Sequence, residues 1–268
     1  MPDLADRAHS LLFVPGDRPD RFGKAAASGA DLVVIDLEDS VAPDAKELAR
    51  QSALDHLAAG HRAAVRINAA GTPWHDADVA ALIGSGTVLV LPKAAPGPEL
   101  RALCRAGNPV VALVETAEGV LEARATAATP GLRRLAFGSF DLAAQLGIDP
   151  LDENALLGVR TALVLASAAE GLPGPVDGVR AAVDDEEGLR AEAMAARRLG
   201  FTGKLCIHPR QVATVRIAFA PTSDQVAWAR RVLSAAEGGP AVVTVDGAMV
   251  DKPVLDRARL VLEQEEAR

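Results

Sequence analysis

The sequence lacks the features that mark several large classes of protein. No apolar run approaches the roughly 20 residues that a membrane-spanning helix needs, and the N-terminal segment MPDLADRAHS has no apolar core like that of a signal peptide. The two cysteines, Cys104 and Cys206, fit neither a metal spacing nor a redox spacing. These absences predict a cytoplasmic protein without a membrane span and with reduced thiols.

The sequence also lacks an excess of basic residues. Lys and Arg number 28 against 36 Asp and Glu, which gives a formal net charge of -8. A nucleic acid or an anionic membrane is therefore not expected as the main partner. An anionic ligand would need a local group of basic side chains.

Short apolar runs alternate with helical patterns along most of the 268 residues, and 49% of the residues are hydrophobic. The apolar runs predict strands near 10–15, 31–37, 63–67, 87–92, 109–115, 133–138, 175–179 and 203–207. The helical patterns lie at 19–28, 43–59, 76–83, 97–106, 118–127, 152–170 and 185–199. This alternation predicts a closed parallel (β/α)8 TIM barrel, a fold of about 250 residues, with an open doubly wound sheet as the alternative.

The chain continues beyond the eighth predicted strand. Helical patterns at 209–219 and 223–236 are followed by Gly238-Gly239-Pro240, an extended segment at 241–245, an Asp-Gly turn and a final amphipathic helix. A closed barrel has no place for another strand. We therefore expect a barrel over residues 1–220 and a C-terminal segment over 221–268 that covers the barrel mouth or reaches a neighbouring subunit.

Charged or polar residues stand at the end of several of these apolar runs. They include Asp36, Glu38 and Asp39 after the second predicted strand, Arg66 after the third, Lys93 after the fourth, Glu115 after the fifth and His208 after the eighth. Barrel enzymes build their active sites from the carboxyl ends of the strands. The repeated pattern therefore predicts an enzyme.

Glu115 and Asp141 are the candidate metal ligands. They lie 26 residues apart, about one βα unit, so adjacent strands would bring both carboxylates to one cavity. Two carboxylates so close need a proton or a cation between them, and Mg²⁺ accepts one or two carboxylates while keeping water and substrate oxygens as its other ligands. The alternative is that each acid caps the helix that follows it.

Arg66 stands at the predicted end of the third strand, within Val65-Arg66-Ile67-Asn68. Its planar guanidinium can hold a carboxylate or a developing enolate oxygen. It can equally form a structural ion pair with Glu38 or Asp39, and the two roles are compatible because an acid can orient a functional arginine.

Three cations, Arg18, Arg21 and Lys24, follow the first predicted strand at the start of a helix. Such a group at a helix start indicates phosphate binding, although the glycine spacing is not that of a P-loop. A solvated basic surface is the alternative. His208, before Pro209, is interpreted as a structural histidine, and nucleophilic catalysis has no evident candidate residue.

These motifs, in this order, resemble the citrate lyase beta-subunit-like family, a group of HpcH/HpaI aldolases that includes malyl-CoA and citramalyl-CoA lyases. The resemblance runs nearly end to end. It rests on Leu12-Phe13-Val14-Pro15-Gly16, Asp36-Leu37-Glu38-Asp39-Ser40-Val41, Val65-Arg66-Ile67-Asn68, Leu91-Pro92-Lys93, Leu113-Val114-Glu115-Thr116, Phe137-Gly138-Ser139 with Asp141-Leu142, Cys206-Ile207-His208-Pro209 and Met249-Val250-Asp251-Lys252-Pro253.

The resemblance implies a TIM barrel, a homotrimer or hexamer, and cleavage of a C–C bond in a 3-hydroxyacyl-CoA ester with Mg²⁺, or Mn²⁺ in its place. The products would be acetyl-CoA or a related acyl-CoA and a 2-oxo acid. Glu115 and Asp141 would hold the metal, and Arg66 would polarise the thioester or enolate oxygen. Glu38 and Asp39 would support Arg66 and the water on the metal.

The resemblance also implies that Arg18, Arg21 and Lys24 meet the phosphates of coenzyme A, and that Asp251 is an acid/base delivered from a neighbouring subunit. One position departs from the pattern, because many lyases of this family have Glu immediately before the metal-binding Asp and this chain has Phe140. Two alternatives stay open: an aldolase acting on free pyruvate enolate without coenzyme A, and a citrate lyase beta-type subunit that needs an acyl-carrier partner.

Overall fold

The computed structural model describes residues 2–236 and 243–266. The chain forms two compact units, Met1–Ala218 and Phe219–Arg268. The expected Gly238-Gly239-Pro240 turn and the first two residues of the extended segment at 241–245 lie outside the described residues.

The first unit is a closed barrel of parallel strands. Each strand pairs with the next along the chain, and β1 pairs with β8, with Leu11 opposite Leu205. The strands are β1 (Ser10–Pro15), β2 (Leu32–Asp36), β3 (Ala64–Arg66), β4 (Leu89–Leu91), β5 (Val110–Val114), β6 (Leu132–Phe137), β7 (Val176–Asp177) and β8 (Gly203–Cys206). The predicted (β/α)8 barrel is confirmed, and the open sheet is wrong.

Helices surround the barrel and continue into the second unit. They are α1 (Pro2–Arg7), α2 (Phe22–Ala26), α3 (Lys46–Ala58), α4 (His75–Leu82), α5 (Pro98–Arg105), α6 (Ala117–Leu121), α7 (Ala123–Ala127), α8 (Ser139–Leu146), α9 (Glu153–Ala169), α10 (Glu186–Leu199), α11 (Pro209–Phe219), α12 (Ser223–Ala236) and α13 (Lys252–Glu266). Short 3-10 turns precede α2 and α3, at Pro19–Arg21 and Pro43–Ala45.

The strands are apolar throughout because both of their faces are covered. Every residue of β2 and of β5 is buried. Leu11, Val34, Val90, Val111 and Leu113 belong to one buried cluster of inward-facing side chains. Residues on the same face alternate along a strand, so Asp36, Arg66 and Glu115 continue these inward-facing rows at the carboxyl ends of their strands.

The observed helices differ from the predicted ones where a helix is only one or two turns long. The helix expected at 118–127 is two five-residue helices, α6 and α7, which meet at Glu122. The unpredicted helix α8 occupies eight residues between Gly138 and Gly147, and Gly147 ends it in the left-handed conformation at φ 70°. Segments of one or two turns carry too few apolar positions to reveal a helical period.

The N-terminal helix α1, also unpredicted, is anchored by a fully buried arginine. Ala5 and Ala8 belong to the apolar cluster of the barrel interior. Arg134 donates to the carbonyl oxygens of Ala8 (2.7 Å), Ala5 (3.3 Å) and Gly174 (2.8 Å), and to Oγ1 of Thr202 (2.7 Å). Burial lowers the pKa of Arg134, but the hydrogen bonds to these acceptors compensate for the loss of hydration of the guanidinium.

Replacing Arg134 by Leu is expected to lower the free energy of unfolding by about 3–5 kcal/mol, because buried carbonyl groups would lose their donor. The matched control is Arg133→Leu, which removes a partly exposed ion pair with Asp6 and should cost less than about 1 kcal/mol. Urea denaturation of both variants measures the difference. An equal decrease in the free energy of unfolding of the two variants would show that Arg134 does not anchor α1.

The second unit has its own small core. β9 (Val243–Val245) and β10 (Ala248–Val250) form an antiparallel hairpin. Side chains of α12, β10 and α13 pack together as Val226, Ala229, Val232, Val250, Ala258 and Val261. Strand β10 ends at Val250, and Pro253 is the second residue of α13, a position where proline is tolerated because its missing N–H has no intrahelical role.

Among the described residues, no helix is both long and apolar enough to span a bilayer. Coverage of the barrel mouth or of a neighbouring subunit by the C-terminal segment stays a prediction.

Candidate active site

A cavity of about 380 Å³ opens at the carboxyl ends of the barrel strands. Four of the catalytic and metal-binding residues predicted from the sequence line it: Asp39, Arg66, Glu115 and Asp141. They come from different strand ends and are brought together by the closure of the barrel. The site therefore lies where barrel enzymes carry their chemistry.

Arg66, the last residue of β3, is held by acids that follow or end β2. Its Nε and Nη2 donate to the two carboxylate oxygens of Asp36, both at 2.7 Å. Its Nη1 lies 3.1 Å from Oε2 of Glu38 and 3.6 Å from Oδ2 of Asp39. Glu38 and Asp39 contact Arg66 as expected, but the bidentate partner is Asp36, a strand-end acid for which no pairing with Arg66 was expected.

The Asp36–Arg66 pair is buried and charged. Burial alone would raise the pKa of Asp36, but the hydrogen bonds and the charge of Arg66 outweigh it and lower the pKa. The same pairing raises the pKa of Arg66 against the effect of its own burial. The guanidinium also lies over the ring of Phe13, with Cζ 4.9 Å from the centroid. Arg66 is therefore a permanent cation in a fixed orientation.

The loop that carries Glu38 and Asp39 is fixed by a buried lysine of α3. Lys46 Nζ donates to the carbonyl oxygens of Leu37 and Glu38 and to Oδ1 of Asn68, each at 2.7 Å. One ammonium group therefore ties the end of β2 to the loop after β3. This explains how a loop can hold two acids beside Arg66.

Glu115 follows β5 and is only 3% exposed. Burial raises its pKa to about 8, and the nearby charges of Glu38 and Asp141 contribute to the rise. The backbone N–H of Lys93 donates to its Oε1 at 2.8 Å. A buried carboxylate with a raised pKa is short of positive charge, which a bound cation would supply.

Gly138 makes room for the Glu115 side chain. A Cβ at position 138 would lie 2.4 Å from both Cβ and Oε2 of Glu115. The glycine therefore allows β6 to end directly against the carboxylate. Sequence analysis included Gly138 in a motif but assigned it no function.

Lys93 is a site residue that the sequence analysis did not assign. Its Nζ lies 2.7 Å from Oε1 of Glu38, 4.0 Å from Oε1 of Glu115 and 3.9 Å from Oδ2 of Asp141. Its backbone adopts φ 49°, a conformation rare for a residue with a side chain. Its position after the apolar run of β4 is the sequence feature that places it at this end of the barrel.

The helix-cap alternative for Glu115 and Asp141 is wrong. Helix α6 is capped by Thr116, whose Oγ1 accepts a hydrogen bond from the N–H of Gly119. The N-cap position of α8 is Gly138, which has no side chain, and Asp141 lies inside the first turn. Both carboxylates are therefore available to the cavity.

The acids at this end of the barrel fit a magnesium ion. Within residues 2–236 and 243–266, no group of three or more His, Cys, Asp or Glu side chains is arranged to hold a metal. That excludes a closed all-protein cage in the described chain, but Mg²⁺ is commonly bound by one or two carboxylates together with water and substrate oxygens. Glu115 and Asp141 match this hard, oxygen-only donor set.

A second cavity, of about 430 Å³, adjoins the first. The two share Phe13, Pro15 and Ile207 as lining residues, and the second also contains Arg21 and Lys24. Arg18 is instead engaged with Asp20, to which its Nε and Nη2 donate at 2.9 Å each. Of the three cations predicted for phosphate binding, Arg21 and Lys24 therefore line a cavity that adjoins the acidic site.

His208 lines the second cavity. Its Nδ1 accepts a hydrogen bond from the N–H of Arg210 at 3.2 Å. Gln211 Oε1 accepts from the N–H groups of Ile207 (2.9 Å) and His208 (3.3 Å) and thereby holds the turn after β8.

Asp251 belongs to the C-terminal unit and lies between β10 and α13. Its side chain is exposed, and its Oδ1 accepts a hydrogen bond from the N–H of Val254 at 3.3 Å. Asp251 therefore stabilises the start of α13. Its delivery to an acidic site stays a prediction.

Comparison with known proteins agrees with this barrel fold. The model of a family described as HpcH/HpaI aldolase/citrate lyase matches residues 9–209. A citrate lyase subunit beta-like protein of Mycobacterium tuberculosis is 40% identical over 260 residues, covering 94% of each chain. A (3S)-malyl-CoA thioesterase of Cereibacter sphaeroides is 37% identical over 282 residues, covering 98% of each chain.

A solved structure is similarly close. The protein CitE from Mycobacterium tuberculosis, in complex with magnesium, acetoacetate and coenzyme A, superposes with a TM-score of 0.85 at 38% identity, covering 98% of this chain and 99% of that one. The fold and site define a TIM-barrel protein with an acidic cavity at the carboxyl ends of its strands. The chain belongs to the HpcH/HpaI aldolase/citrate lyase family, which confirms the resemblance drawn from its motifs.

Proposed function

We propose that the protein is a magnesium-dependent lyase that cleaves the C–C bond of a 3-hydroxyacyl-CoA ester into an acyl-CoA and a 2-oxo acid. The observation that carries the proposal is the convergence of Arg66, Glu115 and Asp141 on one cavity beside a second, basic cavity. The magnesium and coenzyme A in the related CitE complex support the same reading.

Glu115 and Asp141 would hold Mg²⁺, which would supply Lewis-acid stabilisation to the carboxylate and carbonyl of the 2-oxo acid. The acid/base Asp251 would accept the proton of the C3 hydroxyl group as C3 becomes the carbonyl carbon of the oxo acid, and the electron pair of the C2–C3 bond would pass to C2 and the thioester oxygen. Arg66 is preorganised by Asp36 to stabilise the resulting enolate oxygen. The acid/base Asp251 would then deliver a proton to C2.

Arg21 and Lys24 would bind the phosphates of coenzyme A in the basic cavity, since both line it. Arg18 would contribute only after leaving Asp20, because its Nε and Nη2 are already occupied. Ile207, Phe13 and Pro15 line both cavities, so a thioester arm passing over them would reach Arg66 from the basic side.

Chelation is expected to abolish turnover. A panel of 3-hydroxyacyl-CoA esters would be assayed with and without EDTA, with oxo-acid and acyl-CoA products followed by chromatography. Activity should disappear with EDTA and return with excess Mg²⁺ or Mn²⁺. Turnover that persists in EDTA would contradict the metal assignment.

The same assay separates lyase from hydrolase activity. One relative is a (3S)-malyl-CoA thioesterase, and a thioesterase would release free coenzyme A thiol with the hydroxy acid intact. Free thiol without oxo acid would favour that second function. Activity on free pyruvate enolate alone would favour an aldolase without coenzyme A, and co-purification of an acyl-carrier protein with no turnover of CoA esters would favour a citrate lyase beta-type subunit.

We further propose that Asp251 acts in the site of a neighbouring subunit, within a homotrimer or hexamer. Mixing inactive Asp251→Ala chains with inactive Glu115→Ala chains should restore activity, because roughly a quarter of randomly mixed interfaces would carry both intact residues. Steady-state assays after subunit exchange measure the recovery.

The control for this experiment is a mixture of Glu115→Ala with Asp141→Ala. Glu115 and Asp141 belong to the same barrel, so every site in this mixture lacks one of the two residues. Activity should therefore stay absent. A tagged pull-down must first demonstrate subunit exchange. Exchange without recovery in the Asp251 mixture would contradict the shared site.

A further inference from the structure

We infer that the oxo-acid end of the cavity selects a monocarboxylic oxo acid with an alkyl substituent and rejects one with a second carboxylate. The inference rests on the proposed function, since it assigns the oxo acid to the cavity with Glu115 and Asp141. Two independent features of the cavity support it: its charge balance and the composition of its wall.

Negative charge already exceeds positive charge at this end of the barrel. Five carboxylates, Asp36, Glu38, Asp39, Glu115 and Asp141, meet three cationic side chains, Arg66, Lys93 and the buried Lys46. A bound divalent ion would cancel the excess of two negative charges without reversing it. One substrate carboxylate can pair with that ion, and a second would then enter a surrounding with a net negative charge.

Arg66 and Lys93 have little capacity left for a second carboxylate. Arg66 donates Nε and Nη2 to Asp36 and directs Nη1 toward Glu38 and Asp39, and the proposed function assigns its remaining capacity to the enolate oxygen. Lys93 Nζ donates to Glu38 at 2.7 Å. A second substrate carboxylate would have to compete with the enolate oxygen for Arg66 or with Glu38 for Lys93.

Most of the remaining cavity wall is apolar. It includes Phe13, Leu113, Phe137, Phe140, Val179 and Leu205, beside the two serines Ser40 and Ser139. An alkyl group gains free energy by leaving water against such a wall, whereas a carboxylate without a partner loses its hydration. The apolar wall and the charge balance therefore both favour a monocarboxylic oxo acid with an alkyl substituent.

Phe140 is the wall residue closest in sequence to the metal-binding end. It is the second residue of α8, half-buried, and directly precedes Asp141. Phe140 lines the cavity together with Asp141, whose carboxylate would hold the metal. A substituent on the carbonyl carbon of a chelated oxo acid would therefore meet an aromatic surface.

Isothermal titration in the presence of Mg²⁺ tests the inference with pairs of equal carbon number. The pairs are 2-oxobutyrate with freshly prepared oxaloacetate, and 2-oxopentanoate with 2-oxoglutarate. Each monocarboxylate should bind about 10²-fold more tightly than its dicarboxylate partner. Condensation with acetyl-CoA should show the same order in kcat/KM.

Two variants test the wall itself. Phe140→Lys adds an ammonium group and should narrow the preference by about tenfold, whereas Phe140→Leu keeps the wall apolar and should retain the preference. Magnesium affinity, titrated separately for each variant, distinguishes an effect on the oxo acid from damage to Asp141.

The outcomes separate this inference from the proposed function. Tighter binding of the dicarboxylates, with C–C cleavage intact, would overturn the inference and leave the proposed function standing. Monocarboxylate preference without cleavage would support the inference and contradict the lyase assignment. Binding of none of the four acids in the presence of Mg²⁺ would overturn both.

Discussion

Replacing Gly138 by Ala is expected to abolish the magnesium-dependent activity as completely as replacing Glu115 by Gln. The added methyl would lie 2.4 Å from Cβ and Oε2 of Glu115, so the carboxylate would have to leave its position. Loss of a metal ligand removes several kcal/mol of transition-state stabilisation, which corresponds to about 10³-fold or more in kcat/KM. Magnesium affinity should fall in both variants.

The matched control is Gly158→Ala. Gly158 lies inside helix α9, where a Cβ would project into open space. Alanine should therefore leave kcat/KM unchanged and stabilise the helix by about 0.5–1 kcal/mol. Calorimetric titration of Mg²⁺ and steady-state assays on the three variants measure whether Gly138 is required for magnesium binding and activity. Wild-type magnesium affinity in Gly138→Ala would mean that Glu115 does not need this space.

Replacing Arg66 by Lys is expected to lower kcat by about 10²–10³-fold, the usual effect of removing one preorganised donor from an oxyanion. The charge is retained, but lysine cannot reproduce the two parallel hydrogen bonds to Asp36. Magnesium affinity should be largely preserved, because Glu115 and Asp141 are unchanged.

Asp36→Asn is the companion variant. Asparagine keeps one acceptor for Arg66 but removes the charge, so the guanidinium should be oriented less firmly and kcat should fall less than in Arg66→Lys. Single-turnover rates with bound thioester isolate the chemical step from binding. A change in KM alone, with kcat intact, would contradict the role of Arg66 in stabilising the enolate.

Part of the acidic site could be predicted from the amino-acid pattern. The buried runs before Arg66 and Glu115 predicted parallel strands, and the carboxyl ends of such strands meet on one side of a barrel. The spacing of Glu115 and Asp141 predicted neighbouring positions, and both line the same cavity. Their binding of metal stays a prediction.

Other members of the site could not be identified from local pattern. Asp36 reads as an ordinary charged strand end until pairing of β2 with β3 sets it opposite Arg66. The ammonium group of Lys93 reaches Glu38, 55 residues away in the chain, only after the barrel closes. Helix α8 was missed because eight residues are too few to display a clear helical period.

The amino-acid pattern was enough to predict the fold, because strand burial on both faces leaves a continuous apolar run wherever a parallel strand lies. The same pattern indicated which end of the barrel is polar. Three features became visible only in the folded chain: which acid holds Arg66, why position 138 must be glycine, and that Lys93 lies among three carboxylates. These are relations between strands distant in sequence, and their distances are set by barrel closure and register.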